Sequence, residues 1–218
     1  MKNYSYAFRG AMLCAFSLLA SACGDTDERS ESPPGAETAS ARTAETQAAG
    51  EQLPSIAEQV DGLWMYTGLT TSDGTDLPLT GVFLFKDGHF VQQAVFDSGP
   101  FEAAGSMAHA GPATPEPATG SVHLVAEQTI SIAPEETPAL SYRRDTEHDV
   151  TVSRSGDALT LIFGMGTGTV QEFRYVGPGA GELYRLQNGA LAFVDGYFVL
   201  VDGSEESVTT GYGTFEKQ

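Results

Sequence analysis

Histidine is the side chain best suited to acid–base chemistry or to metal binding at neutral pH. The sequence has four of them, far apart along the chain: His89, His109, His123 and His148. No two have the short spacing that is typical of a zinc site, so the sequence predicts neither a bound metal nor a cofactor. His109 is the least explained of the four, because it stands in a long stretch rich in glycine, alanine and proline.

Other patterns that would indicate an enzyme are weak. The sequence has no Gly-x-Ser-x-Gly motif of the kind that presents a catalytic serine. Residues 164–169 are as rich in glycine as a phosphate-binding loop, but they lack the lysine and the helix that would follow, so they predict a turn. We therefore expect a protein that is not an enzyme, with an enzyme as the third alternative.

The charge of the chain excludes some classes of binding partner. The formal net charge is −18 at pH 7. Binding to nucleic acid requires a basic face, so a nucleic-acid partner is not expected, nor is docking of the domain onto an anionic membrane by charge. We interpret the acidity as a source of solubility.

The first 22 residues have the pattern of an export signal. Lys2 and Arg9 precede an apolar run over residues 10–20, which is too short for a membrane-spanning helix of ~20 residues. A basic start, a short apolar middle and small residues at the end are typical of a cleaved signal peptide. The sequence therefore predicts a signal peptide over residues 1–22.

The end of this segment, Leu-Ala-Ser-Ala-Cys-Gly over residues 19–24, resembles the lipobox of bacterial lipoproteins. The resemblance implies that Cys23 becomes the lipid-anchored N-terminus, carries acyl chains such as palmitate and holds the protein on a membrane. Gly24 follows the cysteine where an aspartate would retain the protein in the inner membrane, which implies the outer membrane of a Gram-negative cell envelope. The alternative is ordinary cleavage after Ala22, which would leave Cys23 as a free thiol.

Residues 23–54 are acidic, contain no aromatic residue and have few large aliphatic ones. Such a composition cannot bury enough apolar surface to offset the entropy of ordering. It predicts a disordered tether between the anchor and a domain over residues 55–218.

That domain shows the alternation of strands rather than the periodicity of helices. Asp87-Gly88, Asn188-Gly189 and Asp195-Gly196 each separate two apolar runs, which indicates β-hairpins. In the clearest strand, residues 122–132, five apolar side chains are expected on one face: Val122, Leu124, Ala126, Ile130 and Ile132. Nine to eleven strands with short reversals predict an all-β, antiparallel up-and-down barrel.

Two stretches and three strands fit this plan less simply. Residues 98–120 and 134–147 resist assignment to strands and are expected to be loops at the mouth of the barrel, carrying His109, Tyr142 and Arg143. Residues 82–85, 190–194 and 197–201 are apolar on both faces, so one face of each needs a cover.

The start of the domain resembles the lipocalins, and more closely the bacterial lipocalin-like (calycin-type) barrels. A helical turn at residues 55–60 leads into Gly62-Leu63-Trp64, and an Asp-Gly hairpin with a glutamine-containing second arm follows. The resemblance implies a barrel around an apolar pocket, with an arginine stacked on Trp64, for which Arg174 and Arg185 are candidates. The ligand-binding residues expected from all of these arguments are Trp64, Tyr66, Phe90, Gln92, His109, Tyr142 and Arg143.

Two functions are compatible with these features of the sequence. The first is a membrane-anchored, lipocalin-like lipoprotein that binds a small, largely apolar ligand in the cell envelope. The alternative is an envelope interaction protein with a packed core, which docks a partner through an exposed apolar strand face. A large closed cavity would favour the first, and a filled interior with an exposed apolar patch would favour the second.

Overall fold

The structure is a computed structural model of the chain and describes residues 54–96, 104–134 and 136–216. The expected signal peptide, Cys23 and almost all of the expected tether lie outside the described residues. No helix in the described ranges has the length and apolar character needed to cross a membrane.

The described residues form two short helices and fourteen strands. The helices are α1 (Ile56–Val60) and α2 (Phe163–Gly166). The first ten strands are β1 (Gly62–Thr70), β2 (Leu79–Lys86), β3 (His89–Phe96), β4 (Ser106–Glu116), β5 (Ser121–Ala126), β6 (Gln128–Ile132), β7 (Leu140–Arg143), β8 (Thr146–Ser155), β9 (Ala158–Ile162) and β10 (Val170–Gly177). The last four are β11 (Gly181–Leu186), β12 (Gly189–Val194), β13 (Tyr197–Gly203) and β14 (Val208–Thr214).

Eight of the strands close an antiparallel barrel, in the order β1, β2, β3, β4, β5, β8, β9 and β10, with β10 paired to β1. This arrangement confirms the predicted up-and-down barrel, because each barrel strand lies beside the next barrel strand along the chain, with β6 and β7 inserted between β5 and β8. Strand β6 follows β5 after a short interruption, and β7 precedes β8 in the same way. Strand β6 pairs with β4, and β7 pairs with β6.

Two of the three predicted hairpin turns form as expected. Asp87 and Gly88 both have positive φ, 53° and 70°, and so do Asp195 and Gly196, 49° and 79°. A two-residue turn with positive φ at both positions matches the right-handed twist of the strands that it joins. The third turn lies one residue earlier than predicted, over residues 187–188, since Gly189 already pairs with Leu186 in the ladder.

The predicted strand over residues 122–132 is interrupted at Glu127, and its two halves face opposite ways. Leu124 and Ala126 point into the barrel, whereas Ile130 belongs to the apolar cluster on the outside. The register of β4 shifts by one residue between the pairs Ala113–Leu124 and Ala110–Gln128. One extra residue is enough to turn the following side chains to the other face of a strand, so the prediction of a single apolar face was wrong.

The prediction of a loop over residues 98–120 was also wrong for most of the part that the structure describes, residues 104–120. Residues 106–116 form β4, which lies between β3 on one side and β5 and β6 on the other. Its glycine and alanine residues are explained by close packing on both faces. A Cβ on Gly111 would lie 2.0 Å from the carbonyl oxygen of Val125, so only glycine fits there.

The second expected loop, over residues 134–147, is shorter than predicted. Residues 140–143 form β7, and β8 begins at Thr146. The break between the two strands is at Asp145, whose φ of 53° turns the backbone. Tyr142 and Arg143 are therefore held on a strand and do not belong to a loop.

The cover for the apolar outer face is a second antiparallel sheet, made of β11 to β14 in chain order. It packs on the outside of β3, β4 and β6. Apolar side chains from both sheets form one buried cluster: Leu63, Val82, Leu84, Val91, Ala108, Ala110, Ile130, Ala190, Ala192, Val194, Val199 and Val201. Of the three stretches that are apolar on both faces, residues 82–85 are thus buried between the barrel interior and this sheet, whereas residues 190–194 and 197–201 are strands of the sheet itself.

Helix α1 packs at one end of the barrel, which we call the α1 end. Ser55 and Glu58 form a reciprocal capping box, which satisfies backbone N–H groups at the start of the helix. Ile56 and Val60 pack into the barrel core, and the indole Nε1 of Trp64 donates a hydrogen bond of 2.6 Å to the carbonyl oxygen of Val60. The opposite end, where β3 leads to β4 and β6 leads to β7, is called the far end.

The arginine that lies over Trp64 is Arg154, on β8. Its guanidinium carbon is 4.9 Å from the centre of the indole ring and 5.1 Å from the ring of Tyr175. It also donates hydrogen bonds to carbonyl oxygens of α1. The two candidates from the sequence lie elsewhere, since Arg174 contacts the sulfur of Met65 and Arg185 approaches His89.

Candidate functional site

Side chains fill the middle of the barrel interior, and at the α1 end Val60, Phe85 and Val122 line an open pocket. Eight large apolar residues there are each 2% or less exposed: Trp64, Phe83, Phe85, Phe90, Leu124, Leu159, Leu161 and Phe173. Aromatic rings stack within this core, for example Phe83 on Phe85 with centroids 4.5 Å apart. A side chain with so little accessible surface is in contact with other atoms on all sides, so this region is packed. Trp64 and Phe90, expected to line a pocket, are core residues.

A polar network crosses this core at mid-height. The amide of Gln92 donates to the hydroxyl of Tyr66, and that hydroxyl donates to Oε1 of Gln171 over 3.0 Å. All three side chains are buried, and burial raises the pKa of Tyr66 well above its usual value. The network therefore satisfies polar groups inside the barrel and joins β1, β3 and β10.

A second group of polar side chains lies next to this network, toward the far end. His109 on β4 is the cross-strand partner of Gln92 on β3 and of Thr129 on β6, and Thr129 pairs in turn with Arg143 on β7. Paired residues of neighbouring strands lie on the same face, so these side chains form a continuous row. His148 on β8 joins them, with its ring centroid 6.1 Å from that of His109. We call His109, Thr129, Arg143 and His148 the far-end cluster.

The far-end cluster is partly closed off from solvent. His109 and Thr129 are 8% and 6% exposed, His148 is half-buried under the ring of Phe163, and Arg143 is exposed. Burial lowers the pKa of His109 to about 3, and the neighbouring His148 and Arg143 act in the same direction. The pKa of His148 is also lowered, first by burial and then by Arg143. Both imidazoles are therefore neutral at pH 7.

Two atoms of the far-end cluster lack hydrogen-bond partners within the described part of the chain. They are the hydroxyl of Thr129 and Nε2 of His148, both buried. A buried polar atom without a partner typically costs ~1–3 kcal/mol, so such atoms in a folded protein call for an explanation. The third unpartnered buried atom, Oε1 of Gln93, lies outside the barrel, beneath the second sheet.

The structure brings together only part of the site expected from the sequence. His109 and Arg143 meet in the far-end cluster, with Tyr66 and Gln92 beside it. Tyr142 points away, and its hydroxyl lies 2.6 Å from Oε1 of Gln128 on the outer face.

Sequence reasoning missed Thr129 and His148. For His148 a signal was available, because it alternates with Val150 and Val152, which are buried inside the barrel. For Thr129 the sequence offered no signal, because it does not show that the side chains change from one face of the strand to the other at Glu127.

The outer surface of the second sheet is a different kind of site. Tyr184, Leu186 and Phe193 are 46%, 38% and 39% exposed. Register and alternation place Leu191, Phe198 and Leu200 on the same face, which we call the outer apolar face. Glu182 and Asp202 border it, and no lysine or arginine lies on this face of β11 to β14.

No family model, curated protein or solved structure matches the chain. Within the described residues, no group of three histidine, cysteine, aspartate or glutamate side chains is placed to hold a metal ion.

Proposed function

We propose that this protein is an envelope lipoprotein that docks a partner protein through its outer apolar face, with the barrel as a rigid scaffold. The observation that carries the proposal is the combination of a filled barrel core with an apolar face that is exposed among the described residues. Monomeric soluble proteins rarely expose large contiguous apolar patches, and those that do commonly use them for binding.

The border of the outer apolar face favours one kind of partner. Glu182 and Asp202 give it negative charge only, in a chain whose net charge is −18. A second copy would bring two acidic borders together, and an anionic lipid surface would also be repelled. The partner that fits is a protein surface with apolar side chains at its centre and lysine or arginine around them.

The anchor belongs to the same proposal. An acylated Cys23, joined to the domain by the acidic segment over residues 23–54, would hold the domain near the outer membrane and raise its effective concentration for other envelope proteins. Incorporation of labelled palmitate that is lost in Cys23→Ser tests the anchor. An unchanged signal in that variant would contradict lipidation at this residue.

The lipocalin-like assignment is supported by the arginine–tryptophan stack at the α1 end. The resemblance to lipocalins implies an arginine that covers the tryptophan of the Gly-x-Trp segment, and Arg154 over Trp64 fits that description. The likeness concerns the scaffold and does not specify a ligand.

Site-specific photo-crosslinking in intact cells tests the docking function. A crosslinker at Phe193 is expected to capture a protein peptide that contains apolar residues flanked by lysine or arginine. The same crosslinker at Ser153, an exposed position on β8, is the matched control. Capture of another copy of the chain, of lipid alone, or of equal amounts of the same protein at both positions would contradict the proposal.

A second candidate function is the binding of a small, largely apolar ligand at the far end of the barrel. It is favoured by the unpartnered atoms of Thr129 and His148 and by the half-buried apolar side chains Leu79, Met107 and Phe163 that border the barrel core. Native mass spectrometry of the protein purified from its own host tests it. A co-purifying small molecule that disappears in Met107→Trp, which fills the far end, is the expected result.

A further inference from the structure

We propose that the far-end cluster binds the carboxylate group of a small organic acid. The inference goes beyond docking through the second sheet. It names the head group of the ligand in the second candidate function, and the expectation that this ligand also has an apolar part rests on that function. It rests on the placement of four side chains from four strands. It also rests on the absence of hydrogen-bond partners for Thr129 and His148 among the described residues.

The far-end cluster is rich in hydrogen-bond donors. Arg143 carries a permanent positive charge, Thr129 has a free hydroxyl, and each neutral imidazole carries one N–H. The interior positions of the surrounding strands carry no carboxylate within the described ranges. Asp149, which follows His148 in the chain, points outward, where its Oδ1 lies 2.8 Å from Nδ1 of His123. For the hydroxyl of Thr129 and Nε2 of His148, the described residues supply no hydrogen-bond partner.

The charge of Arg143 selects an anion over a metal cation. Two neutral histidines 6.1 Å apart between ring centroids could also suggest a transition metal. The guanidinium is close enough to lower the pKa of both imidazoles, so it would equally oppose a divalent cation. A carboxylate gains from the same charge, and a planar guanidinium matches its two oxygens.

The exposed side of the cluster is formed by Arg143. Arg143 is exposed, while His109 and Thr129 lie further inside on the same row. A carboxylate would therefore meet the guanidinium first, and side chains would have to move before it could reach the hydroxyl of Thr129 and Nε2 of His148, which are both buried. Any hydrocarbon part of the acid would lie at the far end beside Met107 and Phe163, because the barrel below is filled.

The experiment uses the full-length protein with labelled histidines, in which the imidazole resonances of His109 and His148 are followed by NMR. Three probes are titrated in parallel: acetate, hexanoate and the uncharged hexan-1-ol. We expect hexanoate to shift both resonances with saturation and hexan-1-ol to leave them unchanged. Arg143→Gln is expected to weaken hexanoate binding about tenfold or more.

Arg144→Gln is the matched control, since Arg144 is the exposed neighbour of Arg143 and is not part of the row. It should bind hexanoate like the wild type. Thr129→Val, which removes the hydroxyl and keeps the shape, provides a second variant, and the fluorescence of Trp64 confirms folding in each case. Equal weakening by both arginine variants would overturn the inference, because it would show a general effect of charge.

The probes also separate this inference from the ligand function on which it rests. Equal binding of hexan-1-ol and hexanoate would overturn the carboxylate site and leave an apolar ligand standing. Equal binding of acetate and hexanoate would support the carboxylate site and contradict the apolar ligand. Saturable binding of Zn²⁺ without any effect of the carboxylates, or no shift with any probe, would overturn the inference.

Discussion

His109 shows how the interior of a barrel sets the chemistry of one side chain. In solution its imidazole would take up a proton near pH 6.5, but in the fold that happens only at about pH 3. The sequence singled out His109 because its surroundings were unexplained, and it does lie in the candidate site. The expected surroundings were wrong. A histidine in a loop would keep an ordinary pKa, whereas His109 lies on strand β4 and is buried.

We expect this pKa to make the protein less stable in acid. Above pH 6.5 the imidazole is neutral in the folded and unfolded states and has no effect. Between pH 6.5 and about 3 only the unfolded state binds the proton, so the free energy of unfolding falls by ~1.4 kcal/mol per pH unit on this account. In His109→Gln, urea denaturation at several pH values should show a shallower loss of stability over that window.

His123→Gln provides the control for this measurement. His123 is paired with Asp149 at the surface, which raises its pKa rather than lowering it. Removing it should not make the acid loss shallower. If His109→Gln and wild type lost stability in parallel, the buried neutral imidazole would be contradicted.

The hydroxyl of Tyr66 is expected to contribute to stability through the two glutamines that it joins. Tyr66→Phe would leave Gln92 and Gln171 without their buried partner, which should cost ~1–3 kcal/mol in the free energy of unfolding. Chemical denaturation measures the difference. Tyr184→Phe, at an exposed position, should change the stability by much less, and equal losses in both variants would contradict the role of the network.

At the scale of the elements, hairpins with strong turn signals were predictable and strands made of small residues were not. Asp87-Gly88 specifies its turn through the backbone of two residues, so local sequence was sufficient. Strand β4 is specified by its neighbours instead, because its one glycine and its alanines are needed only where β3, β6 and the second sheet pack against it. The secondary-structure propensity of a segment does not depend on such packing. The Ala/Gly/Pro composition therefore indicated a loop.

Gly111 offers a direct test of that explanation. Gly111→Ala would place a methyl group 2.0 Å from the carbonyl oxygen of Val125, so the strands must separate locally. We expect a loss of ~1–3 kcal/mol in the free energy of unfolding, as for other overpacked sites. Gly211→Ala on β14 is the control, because its nearest atom would be 4.0 Å away. A neutral effect of Gly111→Ala would mean that β4 is not confined as described.

At the scale of the whole molecule, the barrel and the second sheet share one buried apolar cluster. The sequence predicted that several strands need a cover on their second face, and it left open whether a loop, a helix or a partner supplies it. The answer could not be read locally, because β11 to β14 were interpreted as further strands of the same barrel. Which of two sheets a strand joins depends on contacts far apart in the chain.

Neighbouring residues of β12 test this two-sheet arrangement. Ala192 is fully buried against the barrel, whereas Leu191 points to the outer apolar face. Ala192→Glu should destabilise the protein by several kcal/mol, because it buries a charge without a partner, and thermal denaturation should show it. Leu191→Glu should leave the fold intact and weaken docking. Similar stability of the two variants would contradict the packing of the sheets.

The order of the strands along the chain has a consequence for biosynthesis. Residues 62–177 complete the barrel before β11 to β14 have been made, and the outer surface around Val82, Leu84 and Val91 stays bare in the meantime. At ~5–20 residues per second, the missing strands take several seconds to emerge. During that interval the nascent chain exposes an apolar surface that a chaperone would have to cover. Any product that ends before residue 181 should therefore be found in inclusion bodies.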